Sequence, residues 1–444
     1  MYYRVRIFYY CILWCLITIA VASPAWGSPA STFGLSSRSS AMAGAMTAVA
    51  NDHTAAYYNP AALACSLGDD KTFQAVVTPI YTIRDFQVTD TTQEENVLKK
   101  NDTETKGVGV GLIVNIGRLY KSEAEPLNKT YLGISAYIPQ YPLVITVPKT
   151  NKEYFFPLYD EQGPIMCAFL GIGYRINDKI SIGVGANILM DVPHTDSDIE
   201  ANLNLNSLMT DPAFLAAILS NGTVDVSGFV TPSVAVNREL AGKLAPHAGL
   251  IIDPLDSLRI GLSFRNKMGA LASGVQPIHV VDESGNELYY TEVPIAYYAA
   301  FSPREYSLGI GISTGSLLTD LDITYSEWSG YKGPHYEKPP EPFKNTWNPK
   351  IGLEYYISEN MALRGGYAYR PTPVPEQTGE TNFLDADTHI FCGGFAYQIG
   401  SRKLEAHCQH HLWKDQEIDK EGSLPDIRYK GSLWNVGLSY IMEF

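Results

Sequence analysis

LWNVGLSYIMEF, residues 433–444, decides the fold. Trp434, Val436, Leu438, Tyr440, Met442 and Phe444 share one parity, while Asn435, Gly437, Ser439 and Glu443 share the other. A period of two describes one extended strand with an apolar and a polar face. GVGVGLIVNIG repeats the contrast: Val108, Val110, Leu112, Val114 and Ile116 alternate with Gly107, Gly109, Gly111 and Asn115. So does ISIGVGANILM, where Ile180, Ile182, Val184, Ala186 and Ile188 oppose Ser181, Gly183, Gly185 and Asn187.

Extending this reading places strands near 71–84, 106–116, 130–139, 166–176, 180–190, 242–253, 257–266, 306–313, 317–328, 346–357, 361–369, 388–398, 402–413 and 431–444. Connections mostly alternate between tight turns (177–178, 254–256, 314–316, 358–360 and 400–401) and long loops, with 117–129 longer than a tight turn. A soluble β-sandwich alternates too. Here, however, one face is Leu, Ile, Val and aromatic while the other is Gly, Ser, Asn and charged. The strand count is even, and the chain carries 29 tyrosines. Together these features describe an all-β chain, a 14-stranded antiparallel transmembrane β-barrel with its apolar face in lipid. Only such a closed barrel, or a helix, satisfies every backbone group within a bilayer.

Upstream, Arg4 and Arg6 precede an apolar run from Ile7 to Val21, then small residues around Ala25-Trp26-Gly27. This pattern predicts a secretory signal over 1–27, cleaved between Gly27 and Ser28. Losing Arg4 and Arg6 takes the formal charge from -14 to -16, which argues against a nucleic-acid partner. Cys65, Cys167, Cys392 and Cys408 remain, with neither CxxC pairs nor metal-ligand spacing. With 400–401 as a two-residue turn, Cys392 faces Gln409 and points inward, and Cys408 faces Gly393 and points outward.

Between signal and barrel, residues 28–70 are rich in small side chains and include AAYYNPAAL, residues 55–63. Pro60 pushes Asn59 out of the α region yet suits the first position of a new helix, so Asn59 reads as an N-cap. A barrel of this width has an open lumen unless something plugs it. Residues 28–70 therefore read as a small N-terminal helical hatch inside the barrel, and 71–444 as the barrel itself. The glycines at 107–111 read as a smooth wall against which that hatch packs.

The stretch GLSSRSSAMAGAMTAVANDHTAAYYNPAALA resembles the N-terminal hatch of the outer-membrane long-chain fatty-acid and aromatic-hydrocarbon transporter family (FadL type), marked by Asn-Pro-Ala after a small-residue helix. LTDLDITYSEWSGY, MALRGGYAYRPTPVPEQTG and DADTHIFCGGFAY are similar to that family's late strands in the same order. The resemblance implies passive uptake of hydrophobic small molecules across the bacterial outer membrane. It further implies that ligand is captured at outer loops, held in a lumen pocket and released sideways through a gap at an inward kink of the third strand. It carries Asn59, Pro60 and Ala61 over as hatch residues. In the third strand, YLGISAYIPQYPL, it offers only Pro139 and Pro142, at the outer end. Resemblance to outer-membrane barrels further implies surrounding outer-membrane lipid as a partner, and barrel assembly machinery that reads the C-terminal aromatic.

Ligand chemistry can be read independently. In LNSLMTDPAFLAAILSNG, the residues Leu205, Leu208, Met209, Phe214, Leu215, Ile218 and Leu219 approximate a helical stripe broken at Asp211-Pro212. This is either a loop core or an exposed apolar capture groove. Tyr154, Phe155, Phe156 and Tyr159 pose the same choice. Strand parity turns Arg259, Arg265, Lys350, Glu354, Arg364, Lys403, Glu405, His407 and His411 into the lumen. A carboxylate ligand needs a cation that no neighbour neutralises. Arg364, facing inward just after a tight turn, is the first candidate, with Lys350 and Arg265 beside it, against a charge network that braces the wall.

Other chemistries fail on geometry. Gly311-Ile312-Ser313-Thr314-Gly315 matches a nucleophile elbow but enters a hairpin rather than a strand-to-helix turn. His407 and His411 share a face but lie about 13 Å apart along a strand, too far for one metal. No cofactor or metal is implied. Two alternatives remain: a porin for hydrophilic solutes, which lacks a hatch, and an outer-membrane lipid-active enzyme, for which no Ser/His/acid set assembles at the rim.

Overall fold

The computed structural model describes residues 34–68, 71–91, 95–139, 154–158, 167–189, 212–213, 216, 223–225, 244–281, 287–333, 338–422 and 424–444. The predicted signal lies outside these residues.

Alternating side chains build β1 (Phe73–Asp90), β2 (Glu95–Asn115), β3 (Thr130–Pro139), β4 (Cys167–Asn177), β5 (Ile180–Leu189), β6 (Thr223–Asp225), β7 (Leu244–Leu255), β8 (Leu258–Arg265) and β9 (Met268–Val281). They continue with β10 (Glu287–Ser302), β11 (Arg304–Thr314), β12 (Leu317–Glu327), β13 (Thr346–Ser358), β14 (Met361–Arg370), β15 (Thr388–Ile399), β16 (Arg402–Trp413), β17 (Gln416–Ile418) and β18 (Ile427–Glu443). Fourteen of these pair antiparallel in chain order, omitting β6, β9, β10 and the short β17. Pairing of β1 with β18, from Gln74–Glu443 to Asp90–Ile427, closes the barrel. The predicted parity holds: Trp434 is 47% and Leu438 52% exposed toward lipid, whereas Asn435 and Ser439 are fully buried inside. No described helix is long and apolar enough to cross a membrane, so the crossing is made by strands.

The predicted register around residues 400–401 is observed. Cys392 pairs with Gln409, Gly393 with Cys408, and Ile399 with Arg402. Gly400 sits at φ +58°, where a Cβ is disfavoured. Cys65, Cys167, Cys392 and Cys408 are free thiols.

Three features depart from the expected pattern. β1, β2 and β18 run to 18, 21 and 17 residues, beyond the membrane-length core. The extra length of β2 is the largely polar stretch ENVLKKNDTET. Second, β9 and β10 form a hairpin that, with β6, makes a separate three-stranded sheet where only loop was expected. Third, the 117–129 connection folds into two single-turn helices, α3 (Ile116–Tyr120) and α4 (Glu125–Asn128), following the hatch helices α1 (Ser37–Ala41) and α2 (Ala55–Tyr58).

Two apolar clusters divide the interior. One joins the hatch to the wall, around Leu35, Met46, Tyr57, Leu63 and Phe169. The other closes the long-loop end with Phe86, Phe155, Phe156, Phe301, Trp328, Tyr331, Phe343, Phe383 and Trp413. Phe155 and Phe156 are therefore loop core rather than exposed surface. Short turns mark the periplasmic end and long connections the outer end.

The seam ends at the C-terminus. Phe444 stacks on Phe73 at 4.6 Å between ring centroids, its carbonyl accepts from Phe73 N–H at 3.0 Å, and Glu443 pairs with Lys71. Such a stack contributes about 0.5–1.5 kcal/mol beyond the area it buries. Deleting Phe444 is expected to lower the heat-modifiable folded fraction in outer-membrane preparations; an unchanged folded yield contradicts this role for the seam.

Candidate functional site

The hatch backbone lies directly against the wall because the facing wall residues are glycines. A Cβ at Gly183 would meet Ala61 N at 2.2 Å; at Gly261, Thr47 O at 2.2 Å; and at Gly109, Leu35 O at 2.3 Å. Gly366 faces Met42 in the same way, and Gly111 faces the His53 ring. Of the glycines at 107–111, read from sequence as a smooth wall, Gly109 and Gly111 face the hatch while Gly107 faces Tyr137, and glycines of other strands extend the mould. In turn the hatch is rich in Ala and Ser, which allow a close approach, with Leu35, Met42, Met46, Tyr57 and Leu63 supplying apolar burial.

Asn59 adopts the predicted role and adds to it. Its backbone is extended, Pro60 opens a 3-10 turn over Pro60–Cys65, and its Oδ1 accepts from Ala61 N–H at 3.1 Å. Asn59 Nδ2 also donates to Thr47 O at 2.9 Å and to Leu250 O of β7 at 3.2 Å. One side chain therefore caps the turn, ties two hatch segments together and latches them to the wall. Ala61 is fully buried against the glycine of β5.

Further anchors come from residues that the sequence did not single out. Asp322 Oδ2 accepts from the amides of Met46 and Thr47, both at 2.9 Å. His247 Nδ1 donates to Ala56 O at 3.2 Å, and His407 Nδ1 meets Ser37 Oγ at 3.1 Å. His53 Nδ1 meets Ser135 Oγ of β3 at 2.8 Å; burial lowers the pKa of this hatch imidazole and keeps it neutral. Arg38 contacts Glu354 at 2.7 Å and Val49 O at 2.9 Å. Burial opposes charge on Arg38, but the Glu354 carboxylate overrides it and raises the pKa. A lone arginine amid small residues was the available signal for this anchor.

The expected ligand cations fall into different positions. Arg364 bridges Glu354 at 2.7 Å and Glu405 at 2.9 Å, and Lys403 meets Glu405 at 2.7 Å. With Arg38 this forms the bracing network that was the alternative reading. Arg265 pairs with Glu305, donates to Tyr57 O at 2.9 Å and lies 3.8 Å over the Tyr57 ring, holding the hatch. Lys350 differs. Its Nζ reaches only Gly44 O, at 3.5 Å, and among the described residues no carboxylate lies within 4.0 Å. It lines a cavity of about 120 Å³ between the outer face of the hatch and the aromatic cluster. Phe214, Leu215 and Ile218 lie outside the described residues. β3 pairs without a register shift to β2 from Tyr131 to Pro139, and to β4 from Thr130 to Tyr137.

A closed fourteen-stranded barrel with a lumen hatch and a cavity above it defines a plugged membrane channel. Residues 16–444 match the family model described as outer membrane protein transport protein (OMPP1/FadL/TodX). The chain belongs to this family and is an outer-membrane protein. It is similar to alkane uptake protein A of Marinobacter nauticus, at 22% identity over 406 residues, 87% of this chain and 82% of that protein. Long-chain fatty acid transport protein of Salmonella typhi is 21% identical over 255 residues, 50% of this chain and 53% of that one. Among solved structures, a Pseudomonas aeruginosa FadL homologue matches with TM-score 0.55 at 17% identity, and the P. putida toluene transporter TodX with 0.55 at 13%. Each match covers 95% of this chain and 99% of the other, and at these identities shows a shared fold.

The glycine mould generates a direct test. A Cβ at Gly249 would lie 1.9 Å from Asn59 Oδ1, so Gly249→Ala is expected to dislodge the Asn59 latch while the barrel still folds. Asn59→Ala removes a cap contributing about 1 kcal/mol locally, too little to unfold the barrel. Both variants should show normal heat-modifiability but faster proteolysis within residues 34–68. Parental proteolysis in both variants contradicts the latch.

Proposed function

We propose that this protein is a passive outer-membrane uptake channel for hydrophobic small molecules, either long-chain fatty acids or hydrocarbons, in which the hatch gates the lumen. The observation that carries this reading is the hatch itself, a plug rich in small residues seated in a glycine-lined barrel beneath a cavity. Ligand enters from the outer loops, occupies the cavity above the hatch and leaves once the Asn59-Pro60-Ala61 joint shifts. Lateral release beside β3 requires part of that ladder to open, and the hatch packs on it through Leu63 against Gly133 and His53 against Ser135. In this reading the protein is a channel and not an enzyme. Outer-membrane lipid surrounds the exposed Leu, Ile, Val and aromatic belt, and the assembly machinery reads Phe444.

Its family membership supports the reading, as do the similarities to an alkane uptake protein and a fatty acid transport protein. A porin for hydrophilic solutes needs an open lumen, which these buried hatch residues occupy.

Planar-bilayer conductance separates the two. The intact protein is expected to be silent to small ions, and deletion of residues 34–68 to produce steady currents. Large steady currents from the intact protein contradict the plugged-channel reading and favour the porin.

A further inference from the structure

β3 and β4 are neighbours in the wall, paired from Thr130–Tyr174 to Tyr137–Cys167, and a short turn would suffice to join them. The connection between them instead brings Tyr154–Leu158 to the segment that precedes β15. Phe155 N–H donates to Asn382 O at 3.0 Å, and Leu384 N–H donates to Phe155 O at 2.8 Å, which sets Phe155 beside Phe383 in a parallel bridge. The Phe156 ring is fully buried, 5.1 Å from Phe86 of β1 and 5.7 Å from Trp413 of β16. Leu158 reaches inward and lines the cavity above the hatch. Tyr154–Leu158 is therefore a strap at the outer mouth of that cavity.

Strap and seat are held differently. The seat is pinned by charge: Arg370 pairs with Asp385 at 3.2 Å, Asp387 Oδ1 accepts from Thr372 N–H at 2.9 Å, and Lys420 Nζ donates to the carbonyls of Gln377, Gly379 and Thr381. The strap carries no charged side chain and is held by the two main-chain bonds and by apolar contact. Lifting it uncovers aromatic surface of Phe86, Phe383 and Trp413, which is unfavourable in water and which an apolar ligand covers again. Such a ligand binds the lifted state alone and so shifts the equilibrium toward it; a hydrophilic solute gives no such compensation.

We propose that Tyr154–Leu158 is an outer gate, distinct from the hatch, which leaves its seat as an apolar ligand replaces it there and returns once the ligand has passed into the cavity. This inference rests on the uptake-channel reading and adds a second gate to it.

The test uses the full mature chain with Phe155→Cys and Phe383→Cys together, positions that the parallel bridge holds within reach of a disulfide. Oxidation, with the bond confirmed by mass spectrometry of non-reduced peptides, is expected to cut cellular uptake of radiolabelled hexadecane and palmitate about tenfold or more, and reduction to restore it. Each single variant should be indifferent to the oxidant. In nanodiscs, an added Ser307→Cys in the cavity lining reports entry through its rate of labelling by an apolar maleimide. The bond should slow this labelling, and Phe156→Ala, which empties the place between Phe86 and Trp413, should speed it. Unchanged uptake or labelling with the bond formed, failure of the bond to form, or parental labelling in Phe156→Ala overturns the gate. If the parent takes up neither probe, the channel reading fails instead, and the labelling rates decide the gate alone.

Discussion

Everything in this structure depends on the close approach of two backbones, that of the hatch and that of the barrel wall. Close approach requires wall positions without a Cβ, and these are supplied at Gly109, Gly183, Gly249, Gly261 and Gly366. Glycine within a strand weakens it, through backbone entropy and the missing side chain. Here the weakness is offset by neighbours on the lipid face and by full closure of the sheet, which leaves no edge. A wall of larger residues would make a sturdier barrel with no room for this plug.

The hatch is held by apolar burial of Leu35, Met42, Met46, Tyr57 and Leu63 and by directional bonds. Asn59, Asp322, Arg265 and the Arg38–Glu354–Arg364–Glu405 network carry those bonds. Breaking a buried ion pair by removing one partner costs about 3–5 kcal/mol, whereas a single neutral bond contributes about 1 kcal/mol. The anchors therefore fall into two strengths. Arg38 fixes the early part of the hatch, while the later part is held by Arg265 at Tyr57, by Arg175 at Ala64 O and by the neutral bond from Asn59 to Leu250 O of β7.

The barrel was readable from sequence because lipid enforces period-two alternation, and strands 402–413 and 130–139 match their observed bounds. Where lipid ends, the signal ends. The outer half of β2 and the β9–β10 hairpin do not stand out as alternating runs and read as loop. Asn59 was readable because capping is local. Arg38 and Asp322 were not, since their partners lie 316 and 276 residues away in the chain. Parity aimed Arg364, Arg265 and Lys350 inward alike, but only the folded hatch decides which cation is neutralised. Glu354 and Glu405 take Arg364, Tyr57 and Glu305 take Arg265, and Lys350 is left facing the cavity.

The central claim is that the hatch is a unit able to release from an intact barrel. Native-state hydrogen exchange on the protein in nanodiscs measures this most directly, by comparing amides of residues 37–65 with those of β12 to β16 under mild denaturant. The account predicts that hatch amides exchange through a local opening well below the global unfolding free energy. Exchange of hatch and strand amides together, in one transition of the same free energy, would contradict it.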